Sequence, residues 1–235
     1  MKNLIIFGLF IFALVLVQFT QAQTVDEVVE KNIAAMGGKE KLAILNSIRM
    51  EGSMQSNGAD VSIVITKAHM IGSRADIAVM GTQNYQITTP AEGWVFMPVF
   101  GQAAPNAMPD DQLKASQTQL DMHGVFVNYK EKGTKVELTG KETIDGTECY
   151  KVKASFKNGN VTDYYIETKT GYIYKTLTKA TANGEEVDMF TVYSNYKQNA
   201  DGYWFAYITV NSRGETNFDK IETNIKVDEN IFKAN

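Results

Sequence analysis

The chain has 235 residues, 44% of them apolar, with 23 basic and 27 acidic side chains and a formal net charge of −4. That apolar content excludes a disordered tail protein, and the absence of a long basic block disfavours nucleic acid or an acidic membrane surface as a partner. The single cysteine, Cys149, excludes an intramolecular disulfide, so a chain of this length must be held by its core.

Lys2 precedes an uninterrupted apolar run, Leu4 to Val17, and Thr20-Gln21-Ala22 then offers small residues for cleavage. This is the order of a secretory signal peptide over residues 1–22, and the run is short for a membrane span. Cleavage after Ala22 leaves one domain, residues 23–235, and no cysteine lies near the cut to accept a lipid anchor. Thr24 to Met36 is expected to be helical. Thr24 and Glu27 have capping-box spacing, Val25, Val28, Val29, Ile33 and Met36 recur on one face, and Gly37-Gly38 ends the helix. Lys39 to Leu45 predicts a second, shorter helical piece with Leu42 and Leu45 turned inward. Gly37-Gly38-Lys39 lacks the earlier glycine and following Ser/Thr of a phosphate loop.

From Ser47 the apolar period becomes two. Ile48, Met50, Gly52 and Met54 alternate with polar residues, Asn57-Gly58 marks a hairpin, and Asp60 to His69 returns with Val61, Ile63 and Ile65 on one face. Ser73 to Met80 and Gln83 to Thr89 continue an antiparallel meander, because the connections are too short for crossover helices. Gly93 to Tyr129 breaks the pattern. A short strand, Gly93-Trp94-Val95-Phe96-Met97, leads to Pro98, Pro105 and Pro109, and Asp110 to Met122 reads as a helical piece. Asp110-Asp111 at its start suits the helix dipole without any catalytic role.

The second half is nearly all strand. Thr134–Lys141, Glu148–Phe156, Val161–Thr168, Tyr172–Ala180, Glu186–Tyr196, Tyr203–Ser212 and Asn217–Val227 are separated by turn residues such as Asp145-Gly146, Asn158-Gly159, Asn183-Gly184 and Asp201-Gly202. The whole predicts an α+β protein dominated by one large, curled antiparallel sheet. Ten methionines, seven of them from Met50 to Met122, fill an irregular core or line a surface that fits varied apolar ligands.

Little in the sequence asks for catalysis. His69 and His123 have no further ligand at helical or hairpin spacing, so both read as ordinary half-buried or surface histidines and no metal or cofactor is expected. No serine sits in a nucleophile elbow, Cys149 has no neighbouring base and reads as a small buried or half-buried side chain, and no dinucleotide loop is present. Aromatic residues crowd the C-terminal strands, as strand propensity explains.

The helix-first start Thr24 to Leu45, Glu92-Gly93-Trp94-Val95-Phe96-Met97-Pro98, the run Gly133 to Tyr150, Tyr165-Ile166-Glu167-Thr168-Lys169-Thr170, and the ending Asn224 to Phe232 together resemble the periplasmic lipoprotein carriers and outer-membrane lipoprotein-sorting proteins of the LolA/LolB-like fold. The resemblance implies an incompletely closed β-barrel with helices as a lid, a periplasmic location, and an apolar hollow for lipoprotein acyl chains or another hydrophobic ligand. It further implies that Met50, Met54, Ile63, Ile65, Ile77 and Val79 line the hollow. Trp94, Phe96 and Met97 would line it or act as a hinge, and Leu113 and Leu120 would form the inward face of the lid. Arg74 is the best match, with Arg49 as the alternative, for an arginine that holds the lid shut, although the Arg-Pro step of the relatives is missing here. The alternative is a non-catalytic envelope module that uses the same fold to bind a protein partner; an enzyme with a dispersed site ranks last.

Overall fold

The computed structural model describes residues 23–56, 58–182 and 185–234, so the expected signal peptide, Asn57 and the Asn183-Gly184 turn lie outside the described residues. The period-two segments form thirteen strands of one antiparallel sheet. The first meander is β1 (Ser47–Ser56), β2 (Ala59–Ala68), β3 (Gly72–Val79), β4 (Thr82–Thr88), β5 (Gly93–Phe96) and the short β6 (Asn106–Ala107). The second is β7 (Lys135–Ile144), β8 (Thr147–Ser155), β9 (Val161–Glu167), β10 (Ile173–Ala182), β11 (Glu185–Gln198), β12 (Trp204–Asn211) and β13 (Gly214–Thr223).

Each strand pairs with its neighbour in sequence except at one seam, where β1 pairs with β13. The sheet order therefore runs from β6 through β1 and β13 to β7, and it remains open between β6 and β7, an incomplete barrel. At the seam the backbones approach closely. A Cβ on Gly52 would lie 2.3 Å from the Asn217 carbonyl oxygen, so only glycine fits there. The β7–β8 turn shows its sequence logic directly. Asp145 and Gly146 both have positive φ (48° and 80°), the requirement of a tight two-residue hairpin.

Helix α1 (Val25–Ala35) begins with the expected capping box: Thr24 accepts from the Glu27 amide, and Glu27 accepts from the Thr24 amide at 2.8 Å. Its apolar face, Val28 and Val29, packs on Tyr150, Val152 and Ile166 of β8 and β9, together with Phe126. Asn32 and Lys31 fix it further by donating to the carbonyls of Gly171 and Thr168. Helix α2 (Lys39–Leu42) is shorter than the sequence implies. Cys149 is fully buried, and burial pushes its thiol pKa up to about 11, which fits the inert role expected of it.

The connection between the two meanders crosses from one open edge of the sheet to the other. It contains a 3-10 turn at Pro98–Phe100, helix α3 (Asp110–Gln117), a second 3-10 turn at Thr118–Leu120 and helix α4 (Tyr129–Lys132). The single helix expected over Asp110 to Met122 thus tightens and stops at Leu120, and α4 has no counterpart in the sequence pattern. The C-terminal segment, ending in a 3-10 turn at Glu229–Phe232, packs against the opposite side of the sheet, where Phe232 joins Ala68, Tyr85 and Ile87.

Candidate binding face and its cover

Residues directly opposite one another in an antiparallel sheet share a face. Met50 lies opposite Ile65 and Ile221, Ile63 opposite Gly52 and Ile77, and Val61 opposite Met54 and Val79. Met50, Met54, Ile63, Ile65, Ile77 and Val79 therefore occupy one side of β1–β3. That side carries the crossing segment, because Met122 packs into the cluster of Ile48, Phe218, Ile221, Met50 and Ile65. All six side chains remain half-buried, whereas comparable positions under α1, Val152 and Ile166, have no exposure at all.

Trp94 and Phe96 lie elsewhere. They pair with Ile87 and Tyr85 and join the cluster under the C-terminal segment, on the side away from α3. The side of β5 that faces α3 belongs to Gly93 and Val95, and a Cβ on Gly93 would fall 2.6 Å from the Met108 sulfur and 3.0 Å from Leu113. In Gly-Trp-Val-Phe every side chain after the glycine is apolar, so alternation could not distinguish the two sides. Met97 is half-buried beside the first 3-10 turn, and its amide donates to Gln102 Oε1 at 2.7 Å. Leu113 is half-buried against Gly93, and Leu120 is only 2% exposed.

Arg74 does not hold the crossing segment. Its guanidinium pairs with Asp76 at 2.8 Å, donates to the Ile231 carbonyl at 3.0 Å and stacks on Tyr85. The register gives the reason: Arg74 lies opposite Thr66 and Ile87, on the side the C-terminal segment covers. A cleft of 480 Å³ opens beside it, lined by Arg49, Asp76, Asp228 and Asn230 among others. Arg49 is answered there by Glu51 at 2.9 Å, as Arg74 is by Asp76.

The crossing segment is fastened at other points. Gln117 donates to the carbonyls of Thr89 and Pro90, while Asn158 and Asn160 of the β8–β9 turn donate to the Lys114 carbonyl. The densest attachment is at the β2–β3 turn. There the Met70 amide donates to the Leu120 carbonyl at 3.0 Å and the Met122 amide to His69 Nδ1 at 3.2 Å. His69 and His123 stack with ring centroids 3.7 Å apart, and Lys132 pairs with Asp121 at 2.5 Å. Burial lowers the pKa of both histidines. For His69 the charge of Asp121 opposes this shift, and for His123 the neighbouring His69 adds to it.

His69, Asp121 and His123 bring three potential metal-ligating atoms within 4.8 Å of one another, and the buried Nε2 of His123 has no hydrogen-bond partner. The donor set nonetheless fits a cation poorly. His69 Nδ1 already accepts from Met122, an ammonium occupies the Asp121 carboxylate, and two nearly parallel stacked rings point their lone pairs alongside each other instead of at a common centre. The arrangement serves as a latch between a strand turn and the cover. Sequence reasoning missed it because its parts lie far apart in the chain and meet only when the crossing segment folds back.

No protein-family model and no curated protein matches this chain. Its fold matches solved structures over most of both chains. A DUF1329-family protein from Desulfovibrio piger superposes with a TM-score of 0.56 at 12% identity, covering 90% of this chain and 98% of that one. The chain has a LolA-like fold. A LolA-superfamily protein from Nitrosomonas europaea gives a TM-score of 0.54 at 12% identity, with 90% and 98% covered. A putative outer-membrane lipoprotein-sorting protein domain from Vibrio parahaemolyticus gives 0.52 at 15% identity, with 88% and 95% covered. Identities this low establish a shared architecture and leave ligand and partner to be argued from this chain's own residues. No described helix is long and apolar enough to cross a membrane.

Proposed function

We propose that this protein is a non-catalytic carrier of a hydrophobic ligand, lipidated or otherwise, acting in the periplasm after export. The ligand would lie on the apolar side of β1–β3 beneath the crossing segment. The observation that carries this reading is the contrast in covering: six aliphatic side chains share that side and all remain half-buried, on the side of the sheet where Met122 of the crossing segment packs. Apolar surface left in reach of water gains about 0.8 kcal/mol for each methylene of an acyl chain laid on it. The LolA-like architecture agrees with a carrier, as does the signal-peptide pattern of residues 1–22.

The test is native mass spectrometry of the mature protein purified without detergent, with displacement of a fluorescent acyl probe in parallel. Copurifying lipid and saturable probe binding are expected. A protein that purifies empty and fails to bind acyl probes, even with α3 deleted, would remove the carrier reading and leave the fold as a docking module for a protein.

A further inference from the structure

We propose that the apolar strip ends in an anion site, with Lys67 receiving the carboxylate or phosphate head of a single-chain amphiphile whose hydrocarbon lies along β2. This rests on the carrier reading and narrows its ligand class.

Lys67 lies on the same side of β2 as Ile65, Ile63 and Val61, since its register partners are Ile48 and Ser73 while its neighbour Ala68 packs under the C-terminal segment on the other side. Ile48, directly across from it, is 5% exposed and belongs to the cluster that receives Met122. Among the described residues no carboxylate, carbonyl or hydroxyl pairs with the Lys67 ammonium. Asp121, which the crossing segment brings to the neighbouring His69, is committed to Lys132.

Other inward or half-buried cations show what a settled lysine looks like in this fold. Lys31 donates to the Thr168 carbonyl, and Lys151 pairs with Glu142 and Asp163. Lys67 has instead a low-dielectric setting that lowers its pKa by burial alone, the state in which an arriving anion gains most. A half-buried, unpaired cation between Ile48 and Ser73 costs free energy in the empty protein, and a ligand anion offsets that cost.

The geometry of the strip fits the rest of such a molecule. From Lys67 to Val61 the strand spans roughly 20 Å at its usual rise, comparable to an extended long acyl chain, whose far end displaces the side chains that now bury Val61. Asn84, which register places on the same side, is already occupied: its amide donates to the carbonyls of Ile77 and Thr82 and its oxygen accepts from Val99. A hydrocarbon passing it strands no polar group. One end of the strip is cationic and its length is aliphatic, the pattern of an anionic amphiphile in mirror image.

The experiment compares palmitate, hexadecyl phosphate and hexadecanol, which share a chain and differ in the head, by calorimetry on the mature protein and on Lys67→Met and Lys67→Arg. Either anion should bind about tenfold or more tightly than the alcohol, the usual contribution of a charge-assisted hydrogen bond. Lys67→Met should abolish that preference without weakening hexadecanol, and Lys67→Arg should keep it. A preference confined to palmitate or to hexadecyl phosphate supports the site and identifies which head it takes. Equal binding of all three by the wild-type protein, or a preference that survives Lys67→Met, overturns the anion site and leaves the carrier reading intact. Binding of none of the three overturns both. Should Lys67→Met not fold, Lys67→Gln carries the same comparison, and the wild-type preference needs no variant.

Discussion

One side of a single sheet is covered in two different ways. Over β8 and β9 a capped helix delivers Val28 and Val29 onto Val152 and Ile166, and three of these four side chains have no exposure. Over β1–β3 Met122 of the crossing segment packs on Ile48, Met50 and Ile65, and while Ile48 and Val61 are buried, Met50, Met54, Ile63, Ile65, Ile77 and Val79 on the same side stay half-buried. The strands alternate in the same way at both places. What differs is the partner. In one case it is a capped helix that packs its apolar face along the strands. In the other it is a crossing segment that buries single residues such as Leu120 and Phe126 and is otherwise tethered by hydrogen bonds and a histidine pair. Apolar alternation therefore states which side of a strand avoids water and leaves open what will cover it.

Substitutions can break this comparison. The largest effects belong to the closed part: Ile166→Ala should cost about 2–5 kcal/mol in denaturant unfolding, with little change in ligand affinity beyond that due to stability. Leu120→Asp belongs with it, because Leu120 is 2% exposed; a loss above about 3 kcal/mol is expected, and an unchanged denaturation midpoint would contradict its burial. Leu113→Asp should behave in the opposite way. Its side chain is half-buried against Gly93, so acyl-probe affinity should fall by about tenfold while stability moves by less than about 1 kcal/mol. Equal losses in both measurements would make the crossing segment ordinary core.

A smaller effect sharpens the contrast through pH. His69 must be unprotonated at Nδ1 to accept the Met122 amide, and burial lowers its pKa below the ordinary 6.5. The folded, latched state thus favours the neutral ring. Its contribution is complete above the ordinary value and is lost as pH falls through the lowered one. Asp121 resists this loss by favouring the charged ring, and Lys132 promotes it. The protection factor of the Met122 amide, its exchange relative to the intrinsic rate at the same pH, should fall on acidification, whereas amides of β8 should keep theirs; His69→Phe should leave Met122 poorly protected at every pH. Identical protection at neutral and acidic pH would sink the latch. Least of all, Thr24→Ala removes the capping box and should cost about 1 kcal/mol, read as a lower melting temperature with binding unaltered.

Much of this architecture was legible in the residues. The Thr24–Glu27 box, the helix it starts, the Asp145-Gly146 turn and the meandering strands follow from short-range rules, and the structure reproduces them. Met50, Met54, Ile63, Ile65, Ile77 and Val79 share a side because a strand has only two sides and each of these strands places its longer apolar series on one of them. Trp94, Phe96 and Arg74 were harder, since their placement depends on a C-terminal segment more than a hundred residues away that supplies a second apolar cover. The histidine latch was hidden for the same reason: its chemistry resides in a long-range contact, and neither half carries a local signature.

The seam between β1 and β13 has a kinetic consequence. Synthesis delivers β1 well before β13, so the first meander waits with an unpaired edge while the intervening strands are made. Closing that seam joins residues as far apart as Ile48 and Thr223, and it requires Gly52 to slide against the backbone of Asn217 and Phe218. Such a contact forms late and slowly, and the waiting edge is the place where two unfinished chains can pair with each other. The residue that commits the molecule to its final form is then a glycine in the first strand of the sheet, which waits for the last strand to arrive.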